Sequence, residues 1–200
     1  IATTVDIVSG GRLDFGIGAG SRPSYPPARR EYDAHGLPYH DFRHAVEALA
    51  EACTVIRRLW TETEPFDFHG AHLNLTAAFG NPKPLQHPHP PILVAGRSAA
   101  VLRVAAEQAD LWNIPGGDIA DAAERSALLD RYCAEAGRDP AAITRSIHLQ
   151  VSYDQPDTTR DAISEALDAG FRHVTLGLPT APYPANVARW VADELIAKSL

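Results

Sequence analysis

The stretch from residue 90 to residue 113 constrains the fold more than any other part of the chain. Ile92–Ala95 is a short apolar run between prolines and a glycine, which is typical of a strand buried on both faces. Gly96 turns the chain into a helix over 99–109, whose apolar residues recur at helical spacing, and a second strand follows at 110–113. This order predicts a βαβ unit, in which a helix begins at the carboxyl end of a parallel strand.

The rest of the chain repeats this alternation. Further strands are predicted around residues 13–17, 147–153 and 173–178, and the helices include one over 157–169 and a last one from about Ala185. Strands that alternate with helices favour a parallel sheet with right-handed crossovers. The fold class is therefore α/β. Two architectures have this alternation of strands and helices: a doubly wound open sheet and a TIM-type (β/α)8 barrel.

The number of βα units decides how much of a barrel the chain can form. Five units are too few to close a barrel, which usually needs about 250 residues. The chain has 200 residues, and its first eight have the pattern of a helix end stopped by glycine. We therefore expect residues 1–200 to be a single domain that holds the C-terminal five or so βα units and lacks the three N-terminal ones.

The segment between the first two strands of this sheet has a different pattern. Residues 23–40 are polar and contain several prolines, which predicts a loop, and Asp41 caps a long helix with an apolar stripe that ends near Trp60. Two short alternating runs about His69 and Gly70 then predict a β-hairpin. We expect the helix and the hairpin to form an insertion between two βα units.

Two short segments are candidates for ligand binding. The turn Gly96-Arg97-Ser98 (the 96–98 turn) lies at a helix start, where unsatisfied N–H groups and the helix dipole attract anions, and Arg97 adds a full charge. We interpret it as the holder of a cofactor phosphate. The alternative is a serine-capped helix beside a surface arginine.

The second candidate is Gly18-Ala19-Gly20 (the 18–20 segment), which ends the first strand. A dinucleotide-binding interpretation fails, because no helix follows to receive a pyrophosphate. The glycines instead favour close approach of a flat ligand, or simply a tight bend.

Charge and composition exclude several classes of function. The net charge of -7 leaves no basic stripe for a nucleic-acid backbone. No apolar run approaches the ~20 residues that span a bilayer, so we expect no membrane partner. Cys53 and Cys133 are expected to be reduced core residues, which fits a cytoplasmic location. His40 and His44 stand four apart without a third ligand, so no metal site is predicted.

Six segments in a fixed order give the chain a more specific likeness. They are DIVSGGRL at 6–13, GIGAG at 16–20, FHG at 68–70, NPKP at 81–84, PPILVAG at 90–96 and ADLWN at 109–113. In this order and spacing they resemble the luciferase-like monooxygenase superfamily, in particular its deazaflavin (coenzyme F420)-dependent oxidoreductase branch. The resemblance runs over nearly all of the chain and implies an eight-fold βα barrel with an insertion after the fourth strand.

The resemblance also implies where a cofactor lies. A flavin or deazaflavin would lie across the carboxyl-end mouth of the barrel, with its phosphate near the 96–98 turn and its ring near the 18–20 segment. The family often has another glycine where Arg97 stands. Some deazaflavin members carry a glutamate where Ser21 stands, so that acid role is not assigned. Trp112 and Asn113, at a strand's carboxyl end, are candidates for the substrate pocket.

The reaction implied is hydride transfer between reduced coenzyme F420 and a small organic substrate. An FMN-dependent monooxygenase is the alternative within the superfamily, and a catalytically silent fragment or partner subunit is the alternative of another class. The cofactor supplies the chemistry in such enzymes. Several family acid–base contacts come from the first three strands, so no catalytic residue is named. The expected partners are a small-molecule substrate and a second copy of the chain in a homodimer.

Overall fold

The computed structural model describes residues 1–21, 24–178 and 186–199. Its larger sheet has five parallel strands in the order β1-β4-β5-β6-β7, and a separate antiparallel pair is formed by β2 and β3. The strands are β1 (Phe15–Gly18), β2 (Phe66–His69), β3 (Asn74–Ala78), β4 (Ile92–Ala95), β5 (Leu111–Pro115), β6 (Thr144–Gln150) and β7 (His173–Gly177).

Helices connect the parallel strands and follow the predicted rhythm. They are α1 (Ala2–Ser9), α2 (Pro26–Ala34), α3 (Phe42–Thr61), α4 (Ala99–Gln108), α5 (Ile119–Glu135), α6 (Pro156–Asp168), α7 (Val187–Trp190) and α8 (Ala197–Ser199). A 3-10 turn at Pro140–Ala142 precedes β6, and a π-helical segment at Val191–Ile196 joins α7 to α8.

The hydrophobic core lies between the helices and one face of the five-stranded sheet. Strand residues Val94, Trp112 and Ile147 are almost fully buried, and Leu102 and Leu129 meet them from α4 and α5. Because side chains alternate along a strand, the residues between these face the other side of the sheet, where several are polar. The sheet is thus covered by helices on one face.

The strand order decides between the two predicted architectures. A doubly wound sheet reverses its strand order at a switch point, whereas here each new parallel strand adds to the same side of the sheet. This is the arrangement of consecutive units in a TIM-type barrel, and the predicted α/β fold is confirmed. Among the described residues β1 and β7 do not pair with each other, so the five strands form an open part of a barrel. The hairpin lies outside the sheet, as predicted for an insertion.

Local capping explains several helix boundaries. Gly10 ends α1 with a φ of 71°, a conformation that glycine adopts without strain. The Asp41 carboxylate accepts a hydrogen bond from His44 N–H at the start of α3, and the Asp118 carboxylate accepts from Ala120 N–H at the start of α5. The cap at Asp41 was predicted from the sequence.

The predicted loop over 23–40 is wrong for half of its length, because α2 lies within it. Pro26 occupies the first helical position. A backbone N–H group there has no partner within the helix, so its absence in proline costs nothing, and the fixed φ of proline suits a helix. Arg29 and Asp33 form an i,i+4 ion pair at 3.7 Å on the exposed side. The prolines were interpreted as loop residues, although one of them begins a helix.

Two other boundaries differ from the prediction. Strand β6 begins at Thr144, three residues before the predicted start, and ends at Gln150, before Tyr153. The predicted last helix is broken by the π-helical segment, whose last residue, Ile196, is apolar but 49% exposed. Pro23 and Ala185, the predicted starts of the loop and of the last helix, lie outside the described residues.

Candidate functional site

The carboxyl ends of the parallel strands meet at one edge of the sheet, and both candidate segments begin there. Gly18, the last residue of β1, is in register with Ala95, the last residue of β4. The same register continues through Asn113 and Ser146 to His173. We call these five residues the cross-sheet row. The 18–20 segment and the 96–98 turn therefore leave the sheet side by side.

The 96–98 turn is held in an unusual backbone shape. Gly96 has a φ of 149°, and a Cβ atom there would lie 2.8 Å from the Val101 Cγ1 atom, so only glycine fits. Its N–H donates to the Asn113 carbonyl at 3.0 Å. Ser98 caps α4 by accepting a hydrogen bond from Val101 N–H at 3.3 Å. The serine-capped helix start predicted from the sequence is thus present.

Arg97 points from this turn toward the next helix. Its guanidinium, about half exposed, forms an ion pair with the Asp121 carboxylate in the first turn of α5. Hydrogen bonding from Arg97 lowers the pKa of Asp121, so the carboxylate is ionised at neutral pH. Any anion that binds at the turn must share Arg97 with Asp121.

Trp112 and Asn113, the two candidate pocket residues, face opposite sides of the sheet. The Trp112 side chain is fully buried among the core residues beside Phe171, and its indole N–H donates to the Gly96 carbonyl at 2.7 Å. Trp112 therefore supports the 96–98 turn from behind. Asn113 is half-buried on the face away from the helices, where its side-chain N–H donates to Ser146 Oγ at 2.7 Å.

The 18–20 segment lines an open cleft of about 530 Å³. Its other walls come from α2, the first half of α3 and the hairpin turn, and include Tyr32, Ala48 and His72. Gly20 has a φ of 79°, and a Cβ atom there would lie 2.5 Å from the Tyr32 hydroxyl. The residues of the 96–98 turn are not among those that line this cleft, so the two segments are joined through the sheet edge.

Histidines gather at the outer end of the cleft. The imidazoles of His40 and His44 stack with centroids 3.9 Å apart, and the His72 ring lies 4.0 Å from that of His44. His72 Nε2 also contacts a Glu47 carboxylate oxygen at 3.0 Å. No group of histidines, cysteines and carboxylates among the described residues has the arrangement of a metal site.

The two cysteines lie in the core. Burial raises the pKa of the Cys53 thiol to about 11. Burial also raises the pKa of the Cys133 thiol. Both residues are completely shielded from solvent, so neither side chain supplies a thiolate nucleophile near neutral pH.

Two residues of the cross-sheet row were missed from the sequence. Ser146 is fully buried, and its Oγ lies 2.8 Å from His173 Nδ1. The predicted strand started at residue 147, so Ser146 was left outside it. The available signal was the alternation of polar residues, which extends two residues further back from His148 to Ser146.

The family assignment rests on nearly the whole chain. The luciferase-like monooxygenase family matches residues 1–198. The chain therefore belongs to the luciferase-like monooxygenases, as its sequence motifs predicted. In the described part of the chain, no helix is both long and apolar enough to cross a membrane.

Solved structures with the same fold include two that are named for coenzyme F420. An F420-dependent secondary alcohol dehydrogenase in complex with an F420-acetone adduct is 16% identical, with a TM-score of 0.76 over 100% of this chain and 72% of that chain. Coenzyme F420-dependent tetrahydromethanopterin reductase from Methanopyrus kandleri is 18% identical, with a TM-score of 0.75 over 100% and 78%. Monooxygenase RslO1 from Streptomyces bottropensis is 21% identical, with a TM-score of 0.74 over 99% and 72%. At these identities the likeness is one of fold.

Proposed function

We propose that the chain is an oxidoreductase that transfers a hydride between a reduced deazaflavin, coenzyme F420, and a small organic substrate. The observation that supports this most directly is the adjacency of two cofactor-sized features at one sheet edge. Gly18 and Ala95 are in register, so a ligand that lies over the 18–20 segment is within reach of the 96–98 turn. Membership in the luciferase-like monooxygenases supports a flavin-type ligand.

The 96–98 turn has the chemistry of a phosphate site. In the described part of the chain, the N–H groups of Ala99 and Ala100 at the start of α4 have no hydrogen-bond partner, while Val101 N–H is bonded to Ser98. Such groups point along the helix axis and carry the positive end of its dipole. Arg97 adds a cation beside them. We propose that this turn holds the cofactor phosphate.

The 18–20 segment suits the ring of the cofactor. Gly18 and Gly20 present backbone without side chains, and Tyr32 offers an aromatic surface beside Gly20. A flat ring gains contact with backbone only where no Cβ atom stands in the way. We propose that the deazaflavin ring lies against this segment and faces the cleft.

FMN-dependent monooxygenation is the second candidate, because the similar structures include a monooxygenase. FMN also has a phosphate and a flat tricyclic ring, so the same two segments would hold it. A catalytically silent chain would bind neither cofactor. Fluorescence titration of the full chain with coenzyme F420 and with FMN separates these cases, and binding of neither overturns the enzyme proposal.

Ligand pairs and charge variants test the phosphate site itself. Riboflavin differs from FMN only by the missing phosphate, and the deazaflavin chromophore without its tail is the matching control for coenzyme F420. Arg97→Ala should weaken the binding of both phosphate-bearing ligands about ten-fold, because hydrogen bonds to charged groups contribute ~1.5–3 kcal/mol. Binding of the two phosphate-free ligands should not change.

Asp121→Asn provides the opposite test. Since Asp121 competes with the phosphate for Arg97, the variant should bind phosphate-bearing ligands several-fold more tightly. Arg103→Ala is the control, because Arg103 pairs with Glu135 at 2.6 Å near the other end of the same two helices. Equal effects of Arg97→Ala and Arg103→Ala would show that the phosphate binds elsewhere.

A further inference from the structure

The cleft beside the 18–20 segment has a lining without permanent charge. Its volume of about 530 Å³ lies within the ~300–1,000 Å³ of small-molecule sites, and no aspartate, glutamate, lysine or arginine of the described chain lines it. On α3 the lining residues include Ala45, Ala48 and Ala52, which recur at helical spacing and whose side chains are small. One side of the cleft is therefore an apolar surface with open space above it.

Aromatic rings form another wall of the same cleft. The rings of Tyr32 and Tyr39 stack with centroids 4.4 Å apart and 11° between their planes. Phe42, at the start of α3, also lines the cleft and is half exposed. Aromatic faces pack favourably on other rings. The walls therefore suit a ligand with an aromatic body.

The Tyr39 hydroxyl is a buried group that lacks a hydrogen-bond partner in the described chain. Burial raises the pKa of Tyr39, and the nearby Asp33 carboxylate adds to this effect while Arg29, its ion-pair partner, opposes it. The hydroxyl thus keeps its proton near neutral pH. Because buried polar groups are nearly always hydrogen-bonded, an acceptor atom of a ligand in the cleft would supply the partner that this hydroxyl lacks.

Three histidines line the outer end of the cleft, and we call His40, His44 and His72 the histidine cluster. The rings of His40 and His44 are parallel within 4° at 3.9 Å, so their nitrogens cannot both point at one metal ion. His72 contacts Glu47 at 3.0 Å, whereas no described residue is hydrogen-bonded to the ring of His40 or of His44. Two imidazoles at the cleft are therefore available to a ligand.

The carboxylates around the histidine cluster already have partners. Hydrogen bonds from Arg43 and then from His72 lower the pKa of Glu47, so it stays ionised and is shared between these two groups. The Asp41 carboxylate caps α3, and the Glu51 carboxylate accepts from three backbone N–H groups of the hairpin turn. On the other side, α2 presents the uncharged Tyr32 to the cleft. A protonated imidazole of His40 or His44 would thus need its counter-ion from a ligand.

We propose that the cleft binds the substrate as an aromatic carboxylate. Its oxygens lie at the histidine cluster and the Tyr39 hydroxyl, and its ring lies over the alanines of α3. A carboxylate only accepts hydrogen bonds, which matches hydroxyl and imidazolium donors. The proposal rests on the proposed function, which places the deazaflavin ring against the 18–20 segment and so beside the aromatic body of this substrate.

The proposed site makes binding depend on pH. Imidazole changes its charge between about pH 5 and 8, whereas a carboxylate with a pKa of about 4 stays ionised throughout that range. The protonated cluster attracts the anion, so the affinity should rise as the pH falls from 8 to 6. An uncharged ligand of the same shape should show no such change.

Fluorescence titration of the full chain with 2-naphthoate tests the proposal without cofactor. We expect 2-naphthoate to bind about ten-fold more tightly at pH 6 than at pH 8, because charge-assisted hydrogen bonds are the strong ones. The amide 2-naphthamide, which has the same ring without the charge, should bind equally at both pH values. If 2-naphthoate binds independently of pH, or no better than 2-naphthamide at pH 6, the proposal is wrong.

A titration in the presence of coenzyme F420 distinguishes substrate from cofactor as the source of the anion. If saturating coenzyme F420 leaves 2-naphthoate bound, the histidine cluster serves the substrate. If the cofactor displaces 2-naphthoate, the cluster serves the anionic tail of the cofactor and the substrate assignment is overturned. Failure of coenzyme F420 to bind at all would contradict the proposed function, while the pH dependence of 2-naphthoate binding would still decide this proposal.

Variants then measure the contribution of each group. His44→Phe keeps a ring but removes both nitrogens, so it should weaken 2-naphthoate binding at pH 6 about ten-fold and leave 2-naphthamide binding unchanged. Tyr39→Phe should weaken 2-naphthoate binding several-fold at both pH values, because the hydroxyl donates in either case. Exposed His87 lies outside the cleft, so His87→Phe is the matched control. Equal 2-naphthoate binding by His44→Phe and His87→Phe would contradict the proposal.

Discussion

Trp112 and Asn113 are neighbours in the chain, but strand alternation sends their side chains to opposite faces of the sheet. The Trp112 indole lies in the core and donates a hydrogen bond to the Gly96 carbonyl, whereas the Asn113 amide donates to Ser146 Oγ on the other face. A turn holds a ligand in a defined position only if the residues that support the turn are themselves held in place. The buried tryptophan thus contributes to the proposed phosphate site without touching a ligand.

Trp112→Phe should therefore reduce both stability and cofactor affinity. The variant loses the hydrogen bond to Gly96 and some core volume, and we expect the free energy of unfolding to fall by about 1–3 kcal/mol. Urea unfolding followed by circular dichroism measures this loss. Trp60→Phe is the control, since buried Trp60 packs on Phe15 and not on the turn. Only Trp112→Phe should also weaken binding of phosphate-bearing cofactors.

Asp6 is the one fully buried carboxylate among the described residues. It accepts from Leu85 N–H at 2.7 Å, from Gln86 N–H at 3.2 Å and from the Gln86 side chain at 2.8 Å. Burial raises the pKa of Asp6, but the hydrogen bonds from the Gln86 side chain and from both backbone groups outweigh it and lower the pKa below 3.8. This contact joins α1 to the segment before β4.

The lowered pKa of Asp6 predicts a pH-dependent contribution to stability. A group whose pKa is lower in the folded state stabilises the fold above its unfolded pKa, and this contribution disappears as the pH falls through the folded value. Asp6→Asn should thus be less stable than the unsubstituted chain by a constant amount from pH 7 to about 5, and the difference should shrink below about pH 4. Urea unfolding at several pH values measures it, and exposed Asp14→Asn is the control. A difference that stays constant down to the lowest pH would contradict the ionic role.

At the scale of elements, one carboxylate on α3 organises the turn of the hairpin. Glu51 accepts hydrogen bonds from three consecutive backbone N–H groups, those of Ala71, His72 and Leu73, at 2.7, 3.0 and 2.8 Å. Gly70 leaves the space for this carboxylate, since a Cβ atom there would lie 2.3 Å from it. The hairpin is therefore attached to α3 through its turn, and His72 reaches the cleft from this attachment.

Glu51→Ala should loosen the hairpin turn without unfolding the sheet. Hydrogen bonds to a charged group contribute ~1.5–3 kcal/mol, so amide hydrogen exchange at residues 71–73 should accelerate about ten-fold or more. Exchange within the five-stranded sheet should change little, because local openings are largely independent of it. Exposed Glu64→Ala is the control. Uniform acceleration over the whole chain would show that the hairpin and the sheet open together.

For the whole molecule, the sequence predicted what depends on local pattern. The βαβ unit, the parallel sheet and the cap at Asp41 follow from periodicity and from residue chemistry within a few positions. Helix α2 was missed because proline both ends and begins helices. The chain from Asn113 through Ser146 to His173 depends on strand register, and the contact of Asp6 with Gln86 joins residues 80 positions apart. No local pattern specifies such pairings.

The same sheet should link cofactor binding to global stability. The 96–98 turn begins at β4, which is paired on both sides, so a ligand bound there stabilises the strands as one cooperative unit. At a hundred-fold excess of coenzyme F420 over its Kd, the free energy of unfolding should rise by about 2.7 kcal/mol, and the slowest-exchanging amides should slow about a hundred-fold.

Hydrogen exchange with and without coenzyme F420 measures this linkage, element by element. Amides of Ile92–Ala95 and Leu111–Pro115, which exchange by global unfolding, should show the full effect. Amides of the hairpin strand Phe66–His69 should show less, because this strand belongs to a separate sheet and can open alone. The deazaflavin chromophore without its phosphate tail, at the same concentration, should protect less because its affinity is lower. Equal protection of the hairpin and the sheet would mean that the two form one cooperative unit. If the sheet amides gained no protection, the bound cofactor would have to lie away from the edge that β1 and β4 share.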